Sequence, residues 1–301
     1  MSVHELKRPP VADSAEWQVE APLALEQLRH WGQVSPLHIA LRHKRHGQWF
    51  VWRWIDALRD VERLADGLRQ QGFTEDSRLA LSGAFEPDLL LLALAARHVG
   101  GEVLTLPDTL DPETLRKVLW RSHPTHAFVQ GRQTRQRWLN HGQTLLNFAE
   151  LLGPVEPAQR LRLNIKTAQL WSEESTAWQD GLSVLLDQWL ASGHALAFPE
   201  SPGSASRDRR EVAPSGLLLS AARLDTLAGE IESRLAPPNT WRRRLCDWAI
   251  AHPEKPLQRL IKNRVRRLLG FHNLHFIWQA TRSRDVPTAP TWLAEFKRDI
   301  A

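Results

Sequence analysis

The hydrophobic pattern is densest between Arg78 and Pro107, RLALSGAFEPDLLLLALAARHVGGEVLTLP. It predicts a strand over Arg78–Ser82, a helix opened by Glu86-Pro87-Asp88, and a second strand over Glu102–Leu106. Proline just inside the helix start and the pair Gly100-Gly101 just past its end suit the two termini. Leu89 to Leu92 and Leu94 make the helix apolar nearly all round, so it should be buried on more than one side. Two strands joined by one crossover helix form a parallel βαβ unit.

Around this unit the pattern alternates between strand and helix. Residues 1–22 read as a loosely ordered lead-in, followed by a helix over Leu23–Trp31 and a hairpin, Ile39–Lys44 with Trp49–Trp54, turning at His46-Gly47. Ile55, Leu58, Val61, Leu64, Ala65 and Leu68 recur at helical spacing before Gly72. Asp111 caps a helix beginning at Pro112, and His126–Gln130 reads as a strand. The span 131–163 is the least regular, with one helical piece near Leu145–Leu152. Beyond it come a helix over Glu173–Ala191, strands at Ala195–Phe198 and Gly216–Leu219, and a helix over Ala222–Leu235. Two basic helices follow (about 240–251 and 256–269), then a strand over Leu274–Trp278 and a last helix over Thr291–Asp299. The fold class is therefore α/β, with helices packed on parallel sheets, in two subdomains over 23–153 and 154–301.

Composition narrows the class. With 301 residues, 42% hydrophobic and 24% charged, the chain has the material of a soluble globular protein and ample core. No apolar run approaches the ~18–20 residues needed to span a bilayer, and MSVHELKRPP lacks the apolar stretch of a secretory signal. The single cysteine, Cys246, excludes an internal disulfide and any cysteine-based metal cluster. A cytoplasmic location is expected. The net charge of +5 is uneven: residues 241–270 carry nine Lys or Arg against Asp247 and Glu254, leaving −2 for the rest.

Four collinear segments carry a resemblance. They are IALRHKRHGQWFVWRW with VERLADGLRQQGFTEDSRLAL (39–81), LLLLALAARHVGGEVLTLPDTLDPETLRKVLWRSHPTHAFV (89–129), GLSVLLDQWLASGHALAFPESPGSASRDRREVAPSGLLLSAARLDTLAGEIESRL (181–235), and WRRRLCDWAIA with LIKNRVRRLLGFHNLHFIW (241–278). Together they resemble the large N-terminal domain of the adenylate-forming superfamily, in its long-chain acyl-CoA synthetase-like branch. The resemblance implies ATP, Mg²⁺ and CoA as cofactors and activation of a carboxylic acid as the reaction.

The departures from the family pattern point the other way. Members hold the ATP phosphates with a loop of the type YTSGTTGxPKG, where glycines let backbone amides approach the phosphates. Here FAELL (148–152) leads through GPVEPAQRLRLNIKT to the next element with no Ser/Thr/Gly-rich loop. Ser172, Ser175 and Thr176 are a poor substitute, because they lack glycine and surround Glu173 and Glu174, whose charge repels phosphate; they read as a helix start. The family's LPLxH region falls on Ile165–Gln169 without a histidine, and its VPRVYE motif on Ser220–Thr226, keeping only Arg223. The adenine loop GGAP falls on Ala280–Ser283, where side chains replace glycines. The chain ends at LAEFKRDIA, before the family's YGxTE motif and lid domain, so a truncated, degenerate domain is expected.

Other constellations are weak. His43 with His46 and His272 with His275 lack a third ligand, and read as surface histidines. His98 with Glu102 reads as local packing, and Cys246 as a packed helical residue. In the second basic helix Leu260, Ile261, Val265, Leu268 and Leu269 form one stripe, and Arg259, Lys262, Arg266 and Arg267 another. With Arg242, Arg243 and Arg244 these cations are candidates for contact with an anionic surface: lipid at the inner face of the membrane, or an acidic protein. Nucleic acid is not expected, since no nucleic-acid motif accompanies the charge. No catalytic, cofactor-binding or metal residue is assigned. The expected function is that of a non-catalytic, acyl-CoA synthetase-like protein in fatty-acid metabolism that binds a protein partner or an acyl ligand. The alternatives are a ligase fragment active only with a complementing chain, which would then need ATP, Mg²⁺ and CoA, and a gene remnant without a role.

Overall fold

The computed structural model describes residues 22–153, 169–234, 240, 241, 244, 263, 264 and 266–278. The order of elements is α1 (Pro22–Val34), β1 (Ile39–Arg45), β2 (Gln48–Arg53), α2 (Trp54–Gln70), β3 (Arg78–Ser82), α3 (Pro87–Val99) and β4 (Glu102–Thr105). Next come α4 (Pro112–Ser122), β5 (His126–Val129), α5 (Arg132–Arg137), β6 (Thr144–Leu145) and α6 (Phe148–Leu152). The chain continues through β7 (Gln169–Trp171), α7 (Gly181–Ser192), β8 (Ala195–Phe198), α8 (Ala205–Val212), β9 (Gly216–Leu217), α9 (Ala221–Arg234) and β10 (Phe276–Ile277). The last expected helix, 291–299, lies outside the described residues, as does most of 240–262.

Two sheets result. The first, ordered β4-β3-β5-β6, is wholly parallel; the second, ordered β10-β9-β7-β8-β1-β2, is parallel except at the β1–β2 hairpin. A division of the chain near residue 153 does not follow these sheets. The hairpin of residues 39–53 joins the second one, where Leu41 pairs with Leu196 and His43 with Phe198.

Helix α3 stands between the sheets, and its residues explain why. Pro87 starts it, Gly100 ends it in the left-handed conformation at φ 104°, and every residue from Leu89 to Ala96 is fully buried. Its side chains share one core with Leu79 and Leu81 of β3, Leu41 of β1, Leu196 and Phe198 of β8, and Leu185 of α7. Alternate strand residues face outward: Ala80, Leu104 and Ala127 pack under Leu115 and Leu119 of α4. On the far side of the second sheet Trp171, Leu217 and Leu219 pack with Leu224, Leu227 and Phe271. The layers therefore run helix, sheet, helix, sheet, helix. Three indoles lock the central layer: Trp54 stacks on Trp189 at 5.2 Å and on Trp31 at 5.8 Å, while Trp189 Nε1 donates to Ala40 O.

Several elements differ from expectation. The helix expected from Glu173 begins at Gly181, and a short strand, β7, precedes it. Helices α5 and α8 occupy stretches too polar to show a stripe: RQTRQR and ASRDRREV.

Candidate functional site

In open parallel sheets a ligand crevice forms at the carboxyl ends of the strands, where the strand order reverses. The first sheet reverses between β3 and β5, the second between β7 and β9. Both reversals converge on one stretch, Ser172 to Trp178, the connection from β7 to α7.

At the first crevice this connection is stitched to the end of β3. Gly83 N donates to Thr176 Oγ1 at 3.0 Å, and Thr176 N donates to Gly83 O at 2.9 Å. The Thr176 hydroxyl donates to Leu106 O at 2.7 Å, just beyond β4, and Phe85 N donates to Glu174 O at 2.9 Å. A Cβ on Gly83 would overlap Gln130, so the far wall is closed as well. Thr176 does not start a helix as its Ser/Thr-rich surroundings suggest; it is buried and bridges the two sheets.

At the second crevice the chain's own carboxylates take the central place. The Glu173 side chain is fully buried; its oxygens accept from Arg209 Nη1 at 3.2 Å, Arg223 Nε at 3.0 Å and Trp171 Nε1 at 3.1 Å. Arg209 also lies over the Phe271 ring at 5.2 Å. Glu174 Oε1 accepts from the backbone N of Ser220 at 2.7 Å, and Ser220 Oγ accepts from Arg223 N. Ser220 is thus the cap of α9, and Glu174 fills the partner role that a capping-box glutamate takes within a helix. Burial pushes the Glu174 carboxyl above its ordinary range, in spite of the Ser220 hydrogen bonds.

A third polar group lies where β1 ends beside the start of α3. Arg45 donates from Nε to His43 Nδ1 at 3.0 Å and from Nη2 to Asp88 Oδ1 at 2.7 Å. Glu86 Oε1 stands 3.9 Å from His43 Nε2. Burial, then the Asp88 charge, raise the Glu86 carboxyl to about 7; burial, then Arg45, lower the His43 imidazole to about 3. His43 is buried, contrary to its reading as a surface residue, while His46 sits at the turn with φ 49°. His98 contacts Arg29 and Glu102 pairs with Arg78, so these two do not meet.

The expected basic stripe is only partly described. Arg244 and Arg267 are exposed, while Arg242, Arg243, Arg259, Lys262 and Cys246 lie outside the described residues. Arg266 is corrected: it is buried, donating to Phe271 O and Leu274 O, both at 3.2 Å, while Leu268, assigned to the apolar stripe, is 62% exposed. The turn at 271–274 needs donors for its inward carbonyls, and this draws Arg266 inside. Among the described residues no cluster of His, Cys, Asp or Glu could hold a metal, and no helix is long and apolar enough to cross a membrane.

With this geometry in place, the fold is that of the N-terminal domain of adenylate-forming enzymes. The chain resembles MenE of E. coli (19% identity, TM-score 0.51, covering 68% of this chain and 51% of that one). It also resembles the o-succinylbenzoate-CoA synthetase of Bacillus subtilis (13%, TM-score 0.56, 71% and 52%). VinN, solved with L-aspartate, aligns over 86% of this chain and 76% of its own (13%, TM-score 0.59). The chain spans about half the length of the two synthetases, 51% and 52%. No family model matches the sequence, and no curated protein matches it.

Tested against the nucleotide that this fold implies, the residues at both crevices do not fit. The amides of Gly83, Phe85, Thr176 and Ser220 are committed to protein acceptors, and Arg209 and Arg223 to Glu173. Two carboxylates, Glu173 and Glu174, stand where a triphosphate would have to be neutralised, and their charge opposes it.

Proposed function

We propose that this chain is a non-catalytic relative of the acyl-CoA synthetases that works by binding, in a regulatory or scaffolding role toward a protein partner or an acyl ligand. The observation that carries this reading is the Glu173–Arg209–Arg223 cluster with Glu174 on the cap of α9. A buried carboxylate holding two guanidinium groups stabilises the crevice from within, and displacing it would leave a buried charge unpaired. The missing Ser/Thr/Gly-rich loop between Leu152 and Gln169 supports the same conclusion.

The shared fold of the ligases' N-terminal domain favours a second reading, a ligase half completed by another chain. ATP–pyrophosphate exchange with fatty and aromatic acids separates the two. No exchange is expected, alone or with the products of neighbouring genes. Exchange by the isolated chain overturns the proposal, and exchange that appears only with a second chain establishes the second reading.

A further inference from the structure

A groove of about 420 Å³ lies between the C-terminal turn of α4 and the turn that follows α5, away from both crevices. Arg116, Trp120, His123, Asn140 and His141 line it, together with Leu119, Pro124 and Gly142. Trp120 is 76% exposed, although an indole at a helix end ordinarily covers a neighbour; its one ring contact is His123, 6.1 Å away at 54°. No carboxylate lines the groove.

The surrounding charge is strongly one-sided. Between Pro112 and Thr144 six Lys or Arg stand against a single acid, Glu113, so this stretch carries +5. That acid is already bound to Lys117 at 2.8 Å. Arg135 and Arg137 are spent on the carbonyls of Leu146, Leu145 and Leu110, which hold the turn after α5 in place. Arg116 lines the groove beside the indole.

We infer that this groove docks an acidic peptide segment of a protein partner, with an apolar side chain of that segment seated on Trp120 and its carboxylates facing Arg116, His123 and His141. Charge complementarity selects an anion, and the single indole selects its form. Single-stranded nucleic acid uses several stacking rings in a row. A bilayer surface is met by a broad apolar face, whereas here a single exposed indole stands among polar and charged residues. An exposed tryptophan beside an arginine is the composition of an interface anchor. The inference rests on the reading that the chain works by binding a protein, and names the chemistry of that partner.

The probe is a short fluorescein-labelled, glutamate-rich peptide carrying one leucine, titrated into the full chain and followed by anisotropy. Binding is expected to weaken about tenfold or more in Trp120→Ala and in Arg116→Glu, with thermal unfolding unchanged in both. It should also weaken as salt is raised. Lys117→Ala, on the adjoining face, should leave affinity within about twofold. The inference is overturned by the absence of binding to the wild-type chain, by affinity that ignores both groove substitutions, or by equal weakening in Lys117→Ala. It is also overturned if a single-stranded oligonucleotide or phosphatidylserine vesicles bind through Trp120 in preference to the peptide. Failure here alongside silence toward Mg-ATP removes the groove alone; binding of Mg-ATP removes the functional reading beneath it.

Discussion

Gly83 and Thr176 exchange two hydrogen bonds, amide to hydroxyl at 3.0 Å and amide to carbonyl at 2.9 Å. This exchange joins the end of β3 in one sheet to the connection after β7 in the other, and the same hydroxyl reaches Leu106. Thr176→Val keeps the shape and removes both hydroxyl bonds, leaving Gly83 N and Leu106 O buried without them. A loss of about 1–3 kcal/mol is expected in urea unfolding, whereas Ser should retain most of the stability.

Glu173 is the larger test of the interior. Glu173→Gln leaves Arg209 and Arg223 facing a neutral amide inside the protein, since the Glu173 side chain is fully buried and that of Arg209 is 1% exposed. Breaking a buried pair in this way is expected to destabilise by on the order of 3–5 kcal/mol. A denaturation midpoint indistinguishable from wild type would show that the cluster contributes nothing to the fold.

The Glu86–His43 pair sets a pH profile. Glu86 titrates near 7 when folded against 4.5 unfolded, so the folded state holds the extra proton between these values and stability falls as pH rises through them. His43 titrates near 3 against 6.5, so the unfolded state holds the extra proton and stability falls as pH drops through that window. The two slopes oppose one another between pH 4.5 and 6.5 and leave a plateau. Glu86→Gln should be more stable than wild type at pH 8 by about 1–2 kcal/mol, allowing for partial exposure. At pH 4.5 the two proteins should match; unfolding midpoints across pH 4–8 check both.

Local signals carried much of the fold. Pro87 and Gly100 marked α3, and Asp111 caps α4 by accepting from Glu113 N and Thr114 N. His46-Gly47 turned the hairpin where the sequence placed it. What stayed hidden depends on distant partners. Thr176 looks like a helix cap in sequence, but Gly83 and Leu106 claim its hydrogen bonds and α7 starts only at Gly181. Helix α8 reads as polar all round because its buried residues include Asp208 and Arg209, matched to Lys44 and Glu173 from other elements. The membership of β1 in the second sheet rests on pairing with Leu196 and Phe198, which no local pattern announces. Likewise Glu173 and Glu174 could be read as charges hostile to phosphate, but not as partners already supplied with arginines and a helix cap.

Calorimetric titration of the purified chain with Mg-ATP tests the closed crevices most directly. No binding heat is expected up to millimolar nucleotide, because the Gly83 and Ser220 amides are held by Thr176 and Glu174, and Arg209 and Arg223 by Glu173. A micromolar dissociation constant, retained when a carboxylic acid substrate is added, would contradict it.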